Sequence, residues 1–147
     1  MNMQALAVPA QLDQLAAIRR YVQTAGQDAG LDDEAVYNLA LAVDELATNI
    51  ILHGYQEHGL TGEICVRTVS ADGGLAVILE DNGVAFDSGA RALPGAEELS
   101  KPLEERRIGG LGIYLAMSSV DDFQYQRVGE INRNTLTMRR RRTNDET

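Results

Sequence analysis

The stretch Asp32 to Tyr55, D-D-E-A-V-Y-N-L-A-L-A-V-D-E-L-A-T-N-I-I-L-H-G-Y, constrains this chain more than any other. It runs from Asp32 to His53 without a glycine or a proline. At about 100° per residue, Val36, Leu39, Val43, Leu46, Ala47 and Ile50 gather on one side, the stripe an amphipathic helix turns toward a core. Glu45 and Asn49 lie one turn apart on the other side, with Asn38 above them and Thr48 beside them. Two readings follow from these residues alone. One is a solvated helix face; the other is an acid and an amide that reach the same small object from one rigid element. Asp32 and Asp33 suit the helix start, where carboxylates cap free amides and meet the positive end of the dipole. The helix is expected to run to His53, with Gly54 ending it.

The flanking elements follow from periodicity and turn chemistry. Met3 to Val8 is a short apolar run before Pro9, suited to a first strand at a sheet edge. Pro9 to about Ala29 reads as a helix, with Leu12, Leu15, Ala16, Ile18, Tyr21 and Val22 recurring along it and Gly30 stopping it. Glu63 to Val69 alternates, Ile64, Val66 and Thr68 against Glu63, Cys65 and Arg67, as a half-buried strand does. Asp72-Gly73-Gly74 is a hairpin turn. Leu75 to Glu80 is nearly continuous in apolar residues, as a central strand is, and Asp81-Asn82-Gly83 stands at its end. Val84 to Arg107 is long and irregular, of a length usually tied to function in a compact domain. Ile108-Gly109-Gly110-Leu111-Gly112 leads into a third helix, Ile113 to about Val120. Phe123 to Val128 and Ile131 to Arg139 close the chain as an antiparallel hairpin.

The resulting order is β-α-α-β-β-loop-α-β-β. It predicts one α+β domain over residues 1–147, a two-layer sandwich. Its sheet would be mixed and mainly antiparallel, of about five strands, with three helices on one face.

Composition and motifs remove several chemistries. The net charge of −9 disfavours sequence-independent nucleic-acid binding. The arginine run Arg139 to Arg142 reads as a solvated terminus. No run approaches the roughly 18 apolar residues of a membrane span, and the N-terminus lacks the pattern of a secretory signal. The single cysteine, Cys65, fits a reducing cytoplasm. Lys101, the only lysine, is followed by Pro102, so neither a P-loop nor a strand lysine of the eukaryotic kinase type is available. Gly110-x-Gly112 continues to Leu115 rather than glycine or alanine, which fails the dinucleotide fingerprint. His53, His58 and Cys65 do not form a zinc set.

Three features remain, in a fixed order along the chain. Glu45 with Asn49 is the first. Asp81-Asn82-Gly83 is the second, either a tight turn or a carboxylate that accepts hydrogen bonds from an amino group such as that of adenine. The glycine-rich entry to the last helix is the third. Gly109, Gly110 and Gly112 can turn successive N–H groups into one hollow above a helix start, which makes an anion cradle. A helix entrance that needs glycine for close packing is the alternative. Arg106 and Arg107, just before, add charge for a phosphate.

Taken together, E-L-A-T-N-I-I-L-H-G-Y, E-D-N-G-V-A-F-D and R-R-I-G-G-L-G-I-Y-L-A resemble the three ATP-binding boxes of the GHKL superfamily (gyrase, histidine kinase, MutL), built on the Bergerat fold. Within it the sequence is most similar to the anti-sigma-factor serine/threonine kinases of bacteria, from about Leu31 to Arg140. The resemblance implies a role for each matching position. Asn49 would hold Mg²⁺ bridging the ATP phosphates, and Glu45 would be the general base. Asp81 would bind the adenine amino group, with Gly83 allowing close approach. Gly109, Gly110, Leu111 and Gly112 would cradle the phosphates, Arg107 would reach them, and 84–107 would be the ATP lid. Thr135, on a late strand, would support the adenine end. Val84-Ala85 departs from the proline many relatives carry after the Asp-x-Gly box.

The superfamily hosts several activities, so the boxes alone do not choose among them. A hydrolysing machine is expected to need a second domain, and a histidine kinase a dimerisation helix bearing the phosphoryl-accepting histidine. Neither is found in these 147 residues. The expectation is therefore a cytoplasmic Ser/Thr kinase that binds a sigma factor and phosphorylates an anti-anti-sigma (STAS) protein. It would work as a homodimer through the first strand and helix, including Arg19-Arg20, and would contact neither nucleic acid nor membrane. A catalytically inactive nucleotide-binding switch and an α+β interaction module are the alternatives.

Overall fold

The computed structural model describes residues 4–71, 73–87 and 116–140. Its organising helix, α2, spans Asp33–Asn49 and starts where Asp32 accepts a hydrogen bond from the Ala35 amide on Oδ1 at 2.8 Å. Val36, Leu39, Val43, Leu46, Ala47 and Ile50 are all buried, as the periodicity predicts. The helix does not stop at Gly54. After Asn49 it widens into a π-helical segment, Ile50–Tyr55, then a 3₁₀ turn, Gln56–His58. Gly59, at φ 65°, supplies the left-handed residue that ends it. A π segment re-aims backbone groups, and here the Gly54 carbonyl accepts the Val84 amide at 3.1 Å. Gly54 is thus a contact point for another part of the chain rather than a stop.

Before α2, strand β1 is Leu6–Pro9, and helix α1 is Leu15–Asp28, entered through a 3₁₀ turn at Leu12–Gln14. Gly30, at φ 81°, separates α1 from α2. The other strands are β2 (Glu63–Ala71), β3 (Gly74–Asp81), β4 (Asp122–Val128) and β5 (Ile131–Arg139). They form one sheet in the order β1-β2-β3-β5-β4. Every pairing is antiparallel, so the sheet is not mixed as the sequence suggested. β5 lies beside β3 in antiparallel register, Asp81 opposite Asn132.

Among the described residues there are two α-helices of several turns rather than three. Of the third expected helix, only Ala116 and Met117 are described as helical, and Ala116 packs into the core. The remainder of that helix lies outside the described residues.

Ile64 and Val66 of β2, Val77 and Leu79 of β3 and Leu136 of β5 face the helices. They join Ile18, Val22, Leu39, Val43 and Leu46 in a single core cluster. The most apolar part of Asp33–His58 has a mean hydropathy of 1.3, and 61% of it is buried, so the core accounts for its apolar character. On the opposite face Glu80 sits between Arg67 (3.3 Å) and Arg133 (2.8 Å). Two features of this frame set up a site: α2 presents Asn49 just before its π turn, and β3 ends at Asp81.

Candidate nucleotide site

Asn49 closes the α-helical part of α2 and is 6% exposed, so it is not on a solvated face. Its side chain has no hydrogen-bond partner among the described residues. Among the described residues the fully buried unpartnered side-chain atoms are those of Tyr21 and Asn134, so the Asn49 amide keeps access to solvent and can meet a ligand. Glu45, one turn earlier and half-buried, likewise makes no ion pair among the described residues. Its neighbour Asp44 is instead tied to Arg19 at 2.9 Å. Burial, and then the charge of Asp44, raises the Glu45 carboxyl above its ordinary value. A carboxylate with a raised pKa is a better proton acceptor near neutral pH.

Asp81 is 4% exposed. Its Oδ1 accepts the Gly83 amide and the Asn132 side-chain amide, each at 2.9 Å. Oδ2 has no hydrogen bond among the described residues. Burial pushes this carboxyl up, opposed by Asn132, the Gly83 amide and the Arg127 charge.

The two boxes are joined directly. Besides the Gly54–Val84 contact, the Tyr55 hydroxyl accepts the Asn82 amide at 2.8 Å and donates to the Glu63 carbonyl at 2.9 Å. The helix that carries Glu45 and Asn49 therefore ends against the turn that carries Asp81. Gly83 is the pivot of that contact. A Cβ there would lie 2.6 Å from the Gly54 carbonyl oxygen and 3.1 Å from Asp81 Oδ1. Gly83→Ala is expected to cost about 1–3 kcal/mol of stability, because the obstruction is backbone and cannot swing away. Urea unfolding measures this. A loss below a few tenths of a kcal/mol would show that the two backbones are not held together.

Not every expected residue joins this group. Thr135 pairs with Ile78, while the buried positions of β5 are Asn132, Asn134, Leu136 and Met138. Thr135 therefore lies on the sheet face away from Asp81. Arg107, Gly109, Gly110, Leu111 and Gly112 lie outside the described residues, as does most of the expected lid.

Residues not singled out from the sequence complete the site. Asn132 is 2% exposed and Asn134 is 1% exposed, both on the helix-facing side of β5. Neither polar atom of the Asn134 side chain has a partner among the described residues. The readable signal was I-N-R-N-T-L-T-M, in which two asparagines take core-facing positions of an alternating strand. Tyr55 also had a signal, as the last residue of its box, but nothing local indicates that its hydroxyl reaches Asn82.

Comparison with known proteins shows the family. The family of the histidine kinase-like ATPase domain matches residues 8–140. The chain is similar to the serine-protein kinase RsbW of Bacillus cereus strain AH187, 32% identical over 118 residues, covering 80% of this chain and 72% of that protein. It is 31% identical, over the same shares of each chain, to the RsbW of Bacillus thuringiensis strain Al Hakam. Its fold is similar to a solved structure of the RsbU and RsbW domains of Rv1364c from Mycobacterium tuberculosis. That match has a TM-score of 0.60 and 18% identity, and covers 93% of this chain but only 32% of that longer one. These likenesses show the family: the chain belongs to the histidine kinase-like ATPases and, within them, to the RsbW-type anti-sigma-factor serine-protein kinase family.

Proposed function

We propose that the protein is an ATP-dependent serine/threonine kinase that acts as an anti-sigma factor in the bacterial cytoplasm. It would bind a sigma factor and phosphorylate a STAS-type anti-anti-sigma protein. The observation that carries the nucleotide part is a set of polar side chains that make few or no hydrogen bonds among the described residues. Asn49 has an unengaged amide and Asp81 an unengaged Oδ2 on residues that are themselves buried, and both polar atoms of Asn134 are fully buried without a partner among the described residues. An adenine amino group fits Asp81, and Asn134 offers a further donor and acceptor on the same side of the sheet. An amide oxygen is a hard ligand suited to Mg²⁺, which usually takes few protein ligands and fills its shell with phosphate oxygens and water. ATP with Mg²⁺, when bound, supplies the transferable phosphoryl group and neutralises its charge.

Within this reading Glu45 accepts the proton of the incoming serine or threonine hydroxyl, the task for which burial has raised its carboxyl. Arg107 and the run Gly109, Gly110, Leu111 and Gly112 are assigned to the phosphates on their sequence, with 84–107 as the lid. Thr135 supports the sheet behind the base rather than touching it. A homodimer would use the outer edge of β1, which ends the sheet.

A thermal-shift titration tests the nucleotide site at little cost. ATP with Mg²⁺ at 100 times its Kd is expected to stabilise the fold by about 2.7 kcal/mol. No shift with ATP or ADP would remove the reading.

A further inference from the structure

The amide of Asn132 is the hub of the Asp81 turn. Its Nδ2 lies 2.9 Å from Asp81 Oδ1, 2.9 Å from the Val84 carbonyl and 3.2 Å from the Gly83 carbonyl. Its Oδ1 accepts the Tyr125 hydroxyl at 2.5 Å. With three acceptors on one side and a hydroxyl on the other, the network fixes which way the amide points. Arg127, also on β4, adds a hydrogen bond from Nη1 to the Gly83 carbonyl at 3.1 Å. The hairpin of β4 and β5 thus clasps the end of β3, through the Asp81 carboxylate and the Gly83 and Val84 carbonyls.

We infer that Asn132 is a positioning residue for nucleobase selection. By occupying Asp81 Oδ1 together with the Gly83 amide, it leaves Oδ2 as the acceptor presented to the ligand. The site then takes a purine with an amino group and rejects one with an oxo group at the same position. This rests on the nucleotide reading above and goes beyond it by naming what makes Asp81 selective. An ionised carboxylate only accepts hydrogen bonds, whereas a protonated or rotated one can donate. Asn132 stabilises the ionised form against burial, which otherwise favours the neutral acid. Without the Asn132 donor, Asp81 can rotate, or take a proton and donate to an oxo group.

The test compares binding of ATP and inosine triphosphate, each with Mg²⁺, to wild-type protein, Asn132→Leu and Tyr125→Phe. Wild type is expected to prefer ATP, and Asn132→Leu to shrink the ratio of the two affinities by about 10-fold, the scale of one hydrogen bond to a charged group. Tyr125→Phe keeps Asn132 but releases its amide, so it should shrink the ratio in the same direction by less. If Asn132→Leu does not fold, Tyr125→Phe decides. A variant that binds both nucleotides more weakly by the same factor would mean a merely structural role and overturn the inference, leaving the nucleotide reading intact. Wild-type protein that binds neither nucleotide overturns both.

Discussion

Glu45→Gln is expected to lower phosphoryl transfer to a protein hydroxyl by about 10²–10⁴-fold, the usual contribution of a positioned general base. Affinity for ATP with Mg²⁺ should change little, because glutamine keeps the size and polarity of the side chain. The prediction depends on two facts about this helix. Glu45 has no ion-pair partner among the described residues, while Asp44 is held by Arg19. Burial also raises the Glu45 carboxyl, so the charge removed by substitution is one the fold does not need. Single-turnover transfer at saturating ATP is the measurement that checks this. A variant that transfers as fast as wild type would assign Glu45 to binding or to structure.

Asp81→Asn has two expected effects of opposite sign. Nucleotide affinity should fall by about 100-fold, since an amide nitrogen in place of Oδ2 would face the base amino group donor to donor. The ligand-free protein should become more stable at neutral pH. Burial raises the Asp81 carboxyl above its ordinary 3.8. In the window from 3.8 up to the folded value, the native state therefore holds a proton that the unfolded chain has released. Stability from this group falls as pH rises through that window, and at neutral pH the buried charge opposes folding. Asparagine removes that opposition while still accepting from Gly83 and Asn132 through Oδ1. The gain should vanish below the unfolded value, where aspartic acid is neutral in both states. Unfolding of both proteins across pH measures it. A variant less stable than wild type at pH 7 would mean that the clasp stabilises the charge more than burial penalises it.

This trade between stability and ligand binding suits a site whose polar groups wait for partners. Asp81 and Asn134 place polar atoms in the interior, Asn49 holds an unengaged amide at the end of α2, and β5 gives two of its core-facing positions to asparagine. A ligand that satisfies them would return the cost.

The sequence was most legible where one element decides the outcome alone. The apolar stripe of α2 needs only a helical period, and all six residues assigned to it are buried. The hairpin turn at Gly73 and the alternation along β2 were equally local. Contacts that depend on where two distant segments meet were not legible. Gly54 looked like a helix stop because glycine commonly is one, yet its carbonyl receives the amide of Val84, just beyond the end of β3. Thr135 looked polar and well placed on a late strand, but strand register puts it on the face away from Asp81. The same register turns Asn132 and Asn134 inward, where an apolar residue would be expected. A mixed sheet was expected because the hairpins left the pairing of the first strand open. That strand pairs antiparallel with β2, Val8 opposite Ile64.

Transfer of the γ-phosphoryl group of labelled ATP to a partner protein tests the central claim most directly. Purified protein, Mg²⁺ and STAS-domain candidates should yield label on serine or threonine of one candidate. The label should require Mg²⁺ and be lost with Glu45→Gln. Saturable ATP binding with no label on any candidate would contradict the kinase account and leave a nucleotide-gated binding protein in its place.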